Sequence, residues 1–194
     1  LVGILAHSSM PVIKDPFIRT FIKRFKVNMD EAERQHPSQY GSFNDFFTRS
    51  LKAEARTLDK NPKHLACPVD GAISQLGKIN GQNLFQAKGH EFNLTTLLGG
   101  NSGLATPFID GDFATIYLAP KDYHRIHMPC DGTLTHMVHV PGQLFSVNQT
   151  TAAQVPGLFA RNERVVAIFD TEFGSMAMVL VGAMIVASVE TVWA

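Results

Sequence analysis

The sequence predicts an α+β fold, in which N-terminal amphipathic helices precede a mostly antiparallel, β-rich domain of barrel-like or sandwich-like form. Two observations lead to this prediction. Residues 16–25 repeat apolar side chains with helical spacing, and from Pro68 onward short β-type runs alternate with glycine-containing turns. The division is expected near residue 52, with helices in 1–52 and the β-rich domain in 53–194.

The first helix is predicted to start at Asp15 as N-cap, with Pro16 at the first helical position. Apolar side chains then share an arc of about 140°, and basic side chains occupy the opposite side. This pattern fits either a surface helix packed on its own domain or an interfacial helix that attracts anionic lipid. The apolar set is Phe17, Ile18, Phe21, Ile22 and Phe25, and the basic set is Arg19, Lys23, Arg24 and Lys26.

A second helix is predicted in "GSFNDFFTRSLK", where Ser42 and Asp45 have the spacing of a capping box. One face of this helix is aromatic and is expected to be core. Its members are Phe43, Phe46, Phe47 and Leu51.

The β-rich part is predicted from five runs, "GAISQLGKI", "FATIYLA", "GTLTHMVHV", "RVVAIFD" and "MAMVLVGAMIVASVETVW". Turn pairs separate them, and one helical interlude is expected near "FNLTTLLGG". The turn pairs are Asp70-Gly71, Asp110-Gly111, Asp131-Gly132 and Pro141-Gly142.

Composition excludes some functions. The chain has 17 basic and 17 acidic residues, so no nucleic-acid partner is expected. Cys67 and Cys130 form no CxxC pair, which favours a reducing, cytosol-facing environment. No uncharged apolar run of about 18 residues predicts a membrane-spanning helix. No signal peptide is predicted, and the sequence is expected to be cut at both ends, because it starts without Met and stops within an apolar pattern.

The sequence contains no G-x-S-x-G, Walker, GxGxxG or HExxH signature. Candidate chemistry therefore depends on Asp70, His90, His124 and His127. Asp70 alone is typical of a hairpin turn, and His90 alone of a surface or capping histidine. A zinc site would need further ligands beyond the two close histidines, and flanking prolines argue against a helical turn that would bring both to one metal. Different tasks suit them better, with one imidazole oriented by an acid such as Asp70, as in a nucleophile-activating triad.

Six blocks, in order, carry a family resemblance: "FNDFFTRSLK", "PVDGAISQLGKI", "QAKGHEFNLTTLLGG", "YLAPKDYHRIHMPCDG", "VPGQLFSVN" and "LFARNERV". Together they resemble the bacterial phosphatidylserine decarboxylase proenzyme over nearly the whole chain. The resemblance implies a carboxy-lyase that converts phosphatidylserine to phosphatidylethanolamine and CO2. It also implies a proenzyme that cuts itself at a Leu-Gly-Ser-Thr motif, whose serine becomes a covalent pyruvoyl group.

The same resemblance assigns residues. Asp70 would be the orienting acid and His127 the base of the self-cleaving triad, while His124 would reprotonate the product carbon or orient the substrate carboxylate. No metal ligand is assigned. The Leu-Gly-Ser-Thr motif is absent from these 194 residues, so we expect a β-chain segment with an incomplete catalytic domain, inactive by itself.

The expected partners are phosphatidylserine in an anionic membrane and the α chain that carries the pyruvoyl group, and a homodimer is compatible with the family. Residues 1–52 would associate with the membrane, giving a peripheral location on the cytoplasmic side of the cell membrane. The alternatives are a non-catalytic module that binds anionic lipid and, last, a histidine-ligated metal hydrolase.

Overall fold

A computed structural model describes residues 6, 8–59, 61–184, 186 and 189–193. The chain forms two compact units, residues 1–72 with 118–129, and residues 73–117 with 130–194. The first unit therefore includes a segment from the middle of the chain, a division different from the one expected at residue 52. This segment carries both His124 and His127, so these histidines fold with the N-terminal region.

Helix α1 (Pro11–Phe25) begins earlier than predicted, after Met10 as N-cap. Pro11 takes the first helical position, and Pro16 lies inside the helix, where its missing N–H removes one backbone hydrogen bond. The backbone N–H groups of Ile13 and Lys14 both donate to the Met10 carbonyl at 2.9 Å, which closes the first turn of the helix. The predicted start at Asp15 is wrong, because both Pro11 and Pro16 suit the first helical position and the helix begins at Pro11.

The apolar side of α1 packs within its own unit. Ile18 and Phe21 are buried, and the Phe21 ring lies 5.0 Å from Phe43 and 6.0 Å from Phe46. Both partners belong to helix α2 (Phe43–Phe47), which confirms that the aromatic face is core. The opposite side of α1 is solvent-exposed at Arg19, Lys23, Arg24 and Lys26.

Only half of the predicted capping box forms at α2. The Ser42 hydroxyl accepts from the Asp45 N–H at 3.2 Å. The Asp45 carboxylate turns to the Arg34 guanidinium, at 2.6 and 2.8 Å, and to the Gly41 N–H. Helix α2 also ends before Leu51, which forms an isolated bridge with Ala32.

The second unit is β-rich. Its strands are β1 (Ala72–Lys78), β2 (Asn83–Ala87), β3 (His90–Asn93), β4 (Asp112–Tyr117), β5 (Gly132–Val140), β6 (Arg164–Thr171) and β7 (Gly174–Val181). Its short helices are α3 (Leu94–Leu97), α4 (Ser102–Ala105), α5 (Gln149–Ala152) and α6 (Leu158–Arg161).

The strands form three small sheets, β1–β4, β2–β3 and β5–β6–β7. Both β2–β3 and the three-stranded sheet are antiparallel, with β6 in the centre of the latter. The mixed α+β class and the β-rich second part are confirmed, and the sheets that the described residues form do not close into a barrel. The last predicted strand ends at Val181, and its stretch at residues 185, 187 and 188 lies outside the described residues.

The hairpin β2–β3 was not predicted as strands. Lys88 and Gly89 form its turn with positive φ angles of 48° and 79°, a geometry that lysine rarely adopts and glycine readily does. The hairpin buries Leu84 and Phe92 in a core shared with the predicted helical interlude, which α3 confirms.

Arg164, the first residue of β6, is buried beside this core. Its guanidinium donates to four backbone carbonyls, those of Thr96 and Leu97 at 2.6 Å, Asn162 at 2.8 Å and Ala160 at 2.9 Å. These carbonyls lie at the C-terminal ends of α3 and α6, where helices leave acceptors unpaired. The buried cation thus caps two helices.

Among the described residues no helix is long and apolar enough to cross a membrane.

Candidate functional site

The three residues predicted from the sequence, Asp70, His124 and His127, lie in the same unit. Two backbone hydrogen bonds bring their segments side by side. The Ala66 N–H donates to the Pro129 carbonyl and the His127 N–H to the Pro68 carbonyl, each at 2.9 Å. The strand-like pairing fixes His127 opposite Pro68, two residues before Asp70.

Asp70 is held by an arginine that the sequence reading missed. Arg56 donates from Nε to both Asp70 carboxylate oxygens, at 2.9 and 3.0 Å, and from Nη2 to Oδ2. Its Nη1 donates to Glu31 Oε2 at 3.0 Å. The hydrogen bonds to Asp70 and then to Glu31 raise the pKa of Arg56, so this guanidinium is a permanent cation between two carboxylates.

His127 is exposed, and its Nε2 lies 2.9 Å from the hydroxyl of Tyr123. The two rings are stacked at 5.6 Å with an interplanar angle of 16°. Burial raises the pKa of Tyr123, and the Asp70 charge raises it further against the opposing effect of Arg125. The phenol is therefore protonated at neutral pH and can donate its hydrogen to Nε2.

The segments of Asp70 and His127 are joined by the backbone hydrogen bond from His127 to Pro68. Both residues also act on Tyr123, since the Asp70 charge raises the pKa of Tyr123 and the His127 ring lies in hydrogen-bonding distance of its hydroxyl. Within the described part of the chain, no hydrogen bond joins their side chains: the Asp70 carboxylate is bound by Arg56 and the His127 ring by Tyr123. The triad role of the two residues stays a prediction.

His124 is held on two sides. Its Nδ1 lies 2.9 Å from the Asp122 carbonyl oxygen, and its ring lies 3.9 Å from the Phe47 ring. A carbonyl oxygen only accepts hydrogen bonds, so Nδ1 carries the proton and the neutral ring presents an unprotonated Nε2. Burial lowers the pKa of His124, the Asp122 carbonyl opposes this shift, and the positive charge of Arg49 adds to it. The ring is a neutral base at Nε2.

Arg49 is the second arginine that the sequence reading missed. The residue is only 1% exposed, and its Nη2 donates to the carbonyls of Lys121 at 3.1 Å and Asp122 at 3.4 Å. Burial lowers its pKa. The position of Arg49 three residues after Phe46, on the continuation of the aromatic face, was the available signal that its side chain turns inward.

His90 belongs to the other unit, where it is half-buried at the start of β3. In the part of the chain that the structure describes, no group of three or more histidine, cysteine, aspartate or glutamate side chains could hold a metal ion. Cys67 and Cys130 are free thiols.

Comparison with known proteins matches this chain over its whole length. The family model for phosphatidylserine decarboxylase covers residues 43–193. The phosphatidylserine decarboxylase proenzyme of Pseudoalteromonas atlantica is 65% identical over 194 residues, which are 100% of this chain and 68% of that protein. The proenzyme of the same name from Bordetella petrii is 62% identical and covered to 67%, and that of Alteromonas mediterranea is 62% identical and covered to 60%.

These matches confirm the resemblance that the six sequence blocks indicated. The chain spans 60% to 68% of the length of these relatives. Since the family model covers most of the chain and relatives of 62% to 65% identity align with all of it, the chain belongs to the phosphatidylserine decarboxylase family.

Proposed function

We propose that this chain is part of the β chain of a pyruvoyl-dependent enzyme that decarboxylates phosphatidylserine to phosphatidylethanolamine. The observation that carries the proposal is the state of His124, a half-buried imidazole fixed with its proton on Nδ1 and a lone pair on Nε2. It lies in the same unit as Asp70 and His127, the two residues expected to mature the proenzyme.

The residues present fit a pyruvoyl group. A carbonyl group of this kind supplies an electron sink for the pair released when CO2 leaves an amino-acid carbon. Such chemistry requires a nearby base that takes a proton from the substrate amine and later returns one to carbon, and the unprotonated Nε2 of His124 has this capacity. The serine that becomes the pyruvoyl group would lie in the α-chain part of the proenzyme, because no Leu-Gly-Ser-Thr motif occurs in these 194 residues.

His124 would act in two steps. Its Nε2 first accepts a proton from the ammonium group of the serine headgroup, which makes the amine nucleophilic. The resulting imidazolium then donates that proton to the carbon that has lost CO2, so the ring ends as it began. The lowered pKa of His124 keeps the resting ring neutral and favours the second step, because it makes the imidazolium a stronger acid, while it makes Nε2 a weaker base in the first.

His127 would serve the earlier self-cleavage. A base at Nε2 takes the hydroxyl proton of the attacking serine. The Tyr123 hydroxyl lies 2.9 Å from this same atom, which supports Nε2 as the ring nitrogen available to a hydroxyl group. Asp70 would stabilise the imidazolium that forms. An ionised carboxylate has about four acceptor sites, and Arg56 donates three hydrogen bonds to it, which leaves one for His127.

The test uses the full-length proenzyme with single substitutions. Asp70→Asn and His127→Ala are expected to abolish the appearance of two cleaved chains on a gel, whereas His124→Ala is expected to cleave normally and to lose phosphatidylethanolamine formation. His90→Ala is the matched control and should cleave and decarboxylate like the wild type. Normal cleavage of both Asp70→Asn and His127→Ala would refute the triad, and an active His124→Ala enzyme would refute the decarboxylation role.

Membrane association is proposed to be electrostatic and peripheral, on the cytoplasmic side. The apolar arc of α1 is packed against α2, so this helix offers solvent its basic face: Arg19, Lys23, Arg24 and Lys26. About 1 kcal/mol per basic residue is typical near an anionic surface, and the attraction weakens with salt. Triple replacement of Arg19, Lys23 and Arg24 by glutamate should release the protein from phosphatidylserine vesicles in a sedimentation assay.

The same exposed face favours the second candidate, a non-catalytic module that binds anionic lipid. A decarboxylase and a non-catalytic module would both bind anionic vesicles in a salt-sensitive way, so only decarboxylase activity distinguishes the two candidates. A matured full-length protein that binds vesicles but forms no phosphatidylethanolamine would support the module, and loss of a decarboxylase activity on borohydride treatment would exclude it.

A further inference from the structure

Arg49 is a buried cation with poor hydrogen bonding. Its Nε and Nη1 atoms are buried without a hydrogen-bond partner among the described residues, and only Nη2 donates. The Phe46 ring, with its centroid 5.6 Å from the guanidinium carbon, gives a weak cation–π contact. A buried guanidinium with unpaired donors costs free energy, so folding stability does not explain an arginine at this position.

The carbonyl that Arg49 contacts is the one that orients His124. The oxygen of Asp122 accepts from Arg49 Nη2 at 3.4 Å and from His124 Nδ1 at 2.9 Å. The neighbouring Lys121 carbonyl accepts from the same Nη2 at 3.1 Å. One guanidinium nitrogen therefore binds two successive carbonyls, those of the third and the second residue before the histidine.

The turn that carries these carbonyls is also closed from the other side. The Asp122 N–H donates to the Ala119 carbonyl at 2.9 Å, and the Asp122 carboxylate accepts from the Ala119 N–H at 2.7 Å. With the turn fixed at both ends, the direction of the Asp122 carbonyl is set by the fold, and rotation of the His124 ring is limited by Phe47.

The charged groups that act on the His124 ring are Arg49 and Asp122. The Arg49 cation lowers the pKa of His124, and Asp122 raises it. The ring's third neighbour is the apolar Phe47, while Lys121 and Arg125 are exposed residues and the Arg125 Nε donates to the Thr48 carbonyl. Removing the Arg49 charge should therefore shift the protonation of His124 toward higher pH.

We propose that Arg49 is a positioning residue for decarboxylation, whose guanidinium holds the Asp122 carbonyl that fixes the orientation and tautomer of His124. The inference rests on the proposed function, because it assigns Arg49 a role through His124. Arg49 touches neither substrate nor cofactor in this scheme. Outer partners that orient a functional histidine, as measured for metal-bound histidines, typically contribute 10- to 100-fold.

The experiment compares Arg49→Met, Arg49→Lys and Arg125→Met in the full-length proenzyme. Arg125 is the matched control, an exposed arginine next to His124 with its Nε on the Thr48 carbonyl. Arg49→Met should still self-cleave, with kcat reduced about 10- to 100-fold and the acidic limb of the kcat pH profile moved to higher pH. Arg49→Lys should restore the limb, since it keeps the charge, and Arg125→Met should match the wild type in both.

The outcomes separate this inference from the proposed function. An active His124→Ala enzyme would refute the decarboxylation role itself. If His124→Ala is inactive but Arg49→Met keeps the wild-type kcat and pH limb, the positioning role alone is overturned.

Should Arg49→Met fail to fold, the wild-type proenzyme still provides a test. Nitrogen-15 NMR of labelled histidines, with His124 assigned by comparison with His124→Gln, should show the proton on Nδ1 and a bare Nε2. A proton on Nε2 would overturn the proposal.

Discussion

Replacing the buried Arg164 with methionine is expected to destabilise the protein strongly. The side chain is 3% exposed and donates four hydrogen bonds to backbone carbonyls at 2.6 to 2.9 Å. Hydrogen bonds from a charged donor contribute about 1.5 to 3 kcal/mol each, and the desolvation of a buried cation offsets several kcal/mol of the total. Burial accordingly lowers the pKa of Arg164.

The net effect can be estimated from the groups left behind. Methionine fills a similar volume but removes four hydrogen bonds from a charged donor, although the Thr96 carbonyl keeps the Gly99 N–H as a donor at 3.1 Å. A buried acceptor that loses its partner costs about 1 to 3 kcal/mol, and the relieved desolvation of the cation offsets part of the sum, so a net cost of about 3 to 5 kcal/mol is expected. For a domain of this size, about 1 kcal/mol lowers Tm by 2 to 4 °C, so Arg164→Met should lower Tm by about 10 °C. Arg164→Lys keeps the charge but cannot span both helix ends, so its Tm should lie between those of the wild type and Arg164→Met.

Thermal unfolding of the full-length protein, followed by circular dichroism, measures this difference. The exposed neighbour Arg161, replaced by methionine, is the control and should melt no more than about 4 °C below the wild type, because it loses only an exposed cation–π contact with Phe145. If Arg164→Met melts as high as Arg161→Met, the reasoning that the guanidinium caps α3 and α6 is refuted.

Two further predictions concern backbone space and pH. A Cβ on Gly142 would lie 2.5 Å from the Arg161 carbonyl oxygen, so Gly142→Ala should cost about 1 to 3 kcal/mol or more in a urea titration, whereas Gly77→Ala, whose Cβ would lie 3.9 Å from Phe113, should cost about 1 kcal/mol or less. Equal midpoints for the two variants would contradict the crowding. Burial lowers the pKa of His124 below 6.5, so on acidification the unfolded chain protonates His124 before the folded chain does. The contribution of the neutral His124 ring to folding stability is therefore complete above pH 6.5 and is lost as the pH falls through the folded pKa. The urea midpoint should therefore fall less between pH 7.5 and 5.5 in His124→Gln than in the wild type. An equal fall in both proteins would show that His124 does not contribute to the pH dependence of stability.

Much of the fold could be predicted because periodicity is local. The runs that gave β1, β4, β5 and β6 each read as strands from a few neighbouring residues, and Ser42 caps α2 as its spacing indicated. Errors came where two local rules competed. Pro11 and Pro16 both suit a first helical position, and only the backbone shows which one the helix used.

The site was predictable only in part, for a physical reason. Asp70, His124 and His127 stand in recognisable blocks, but the groups that hold them come from elsewhere in the chain. Arg56 reaches Asp70 across 14 residues, and Arg49 reaches the Lys121 carbonyl across 72. Such contacts are made by folding, so a single sequence carries little sign of them.

The pairing of Ala66 with Pro129 and of Pro68 with His127 also sets an order in time. Residues 73–117 lie between the two parts of the first unit and belong to the second. A ribosome must therefore make the whole intervening stretch before the first unit can close, and the entropy of that long loop is lost in the same step. During this interval Asp70 has already been synthesised, but His124 and His127 have not. Synthesis itself delays assembly of the site, so a nascent chain that ends before His127 and Pro129 cannot form the backbone pairing that brings the segments of Asp70 and His127 together.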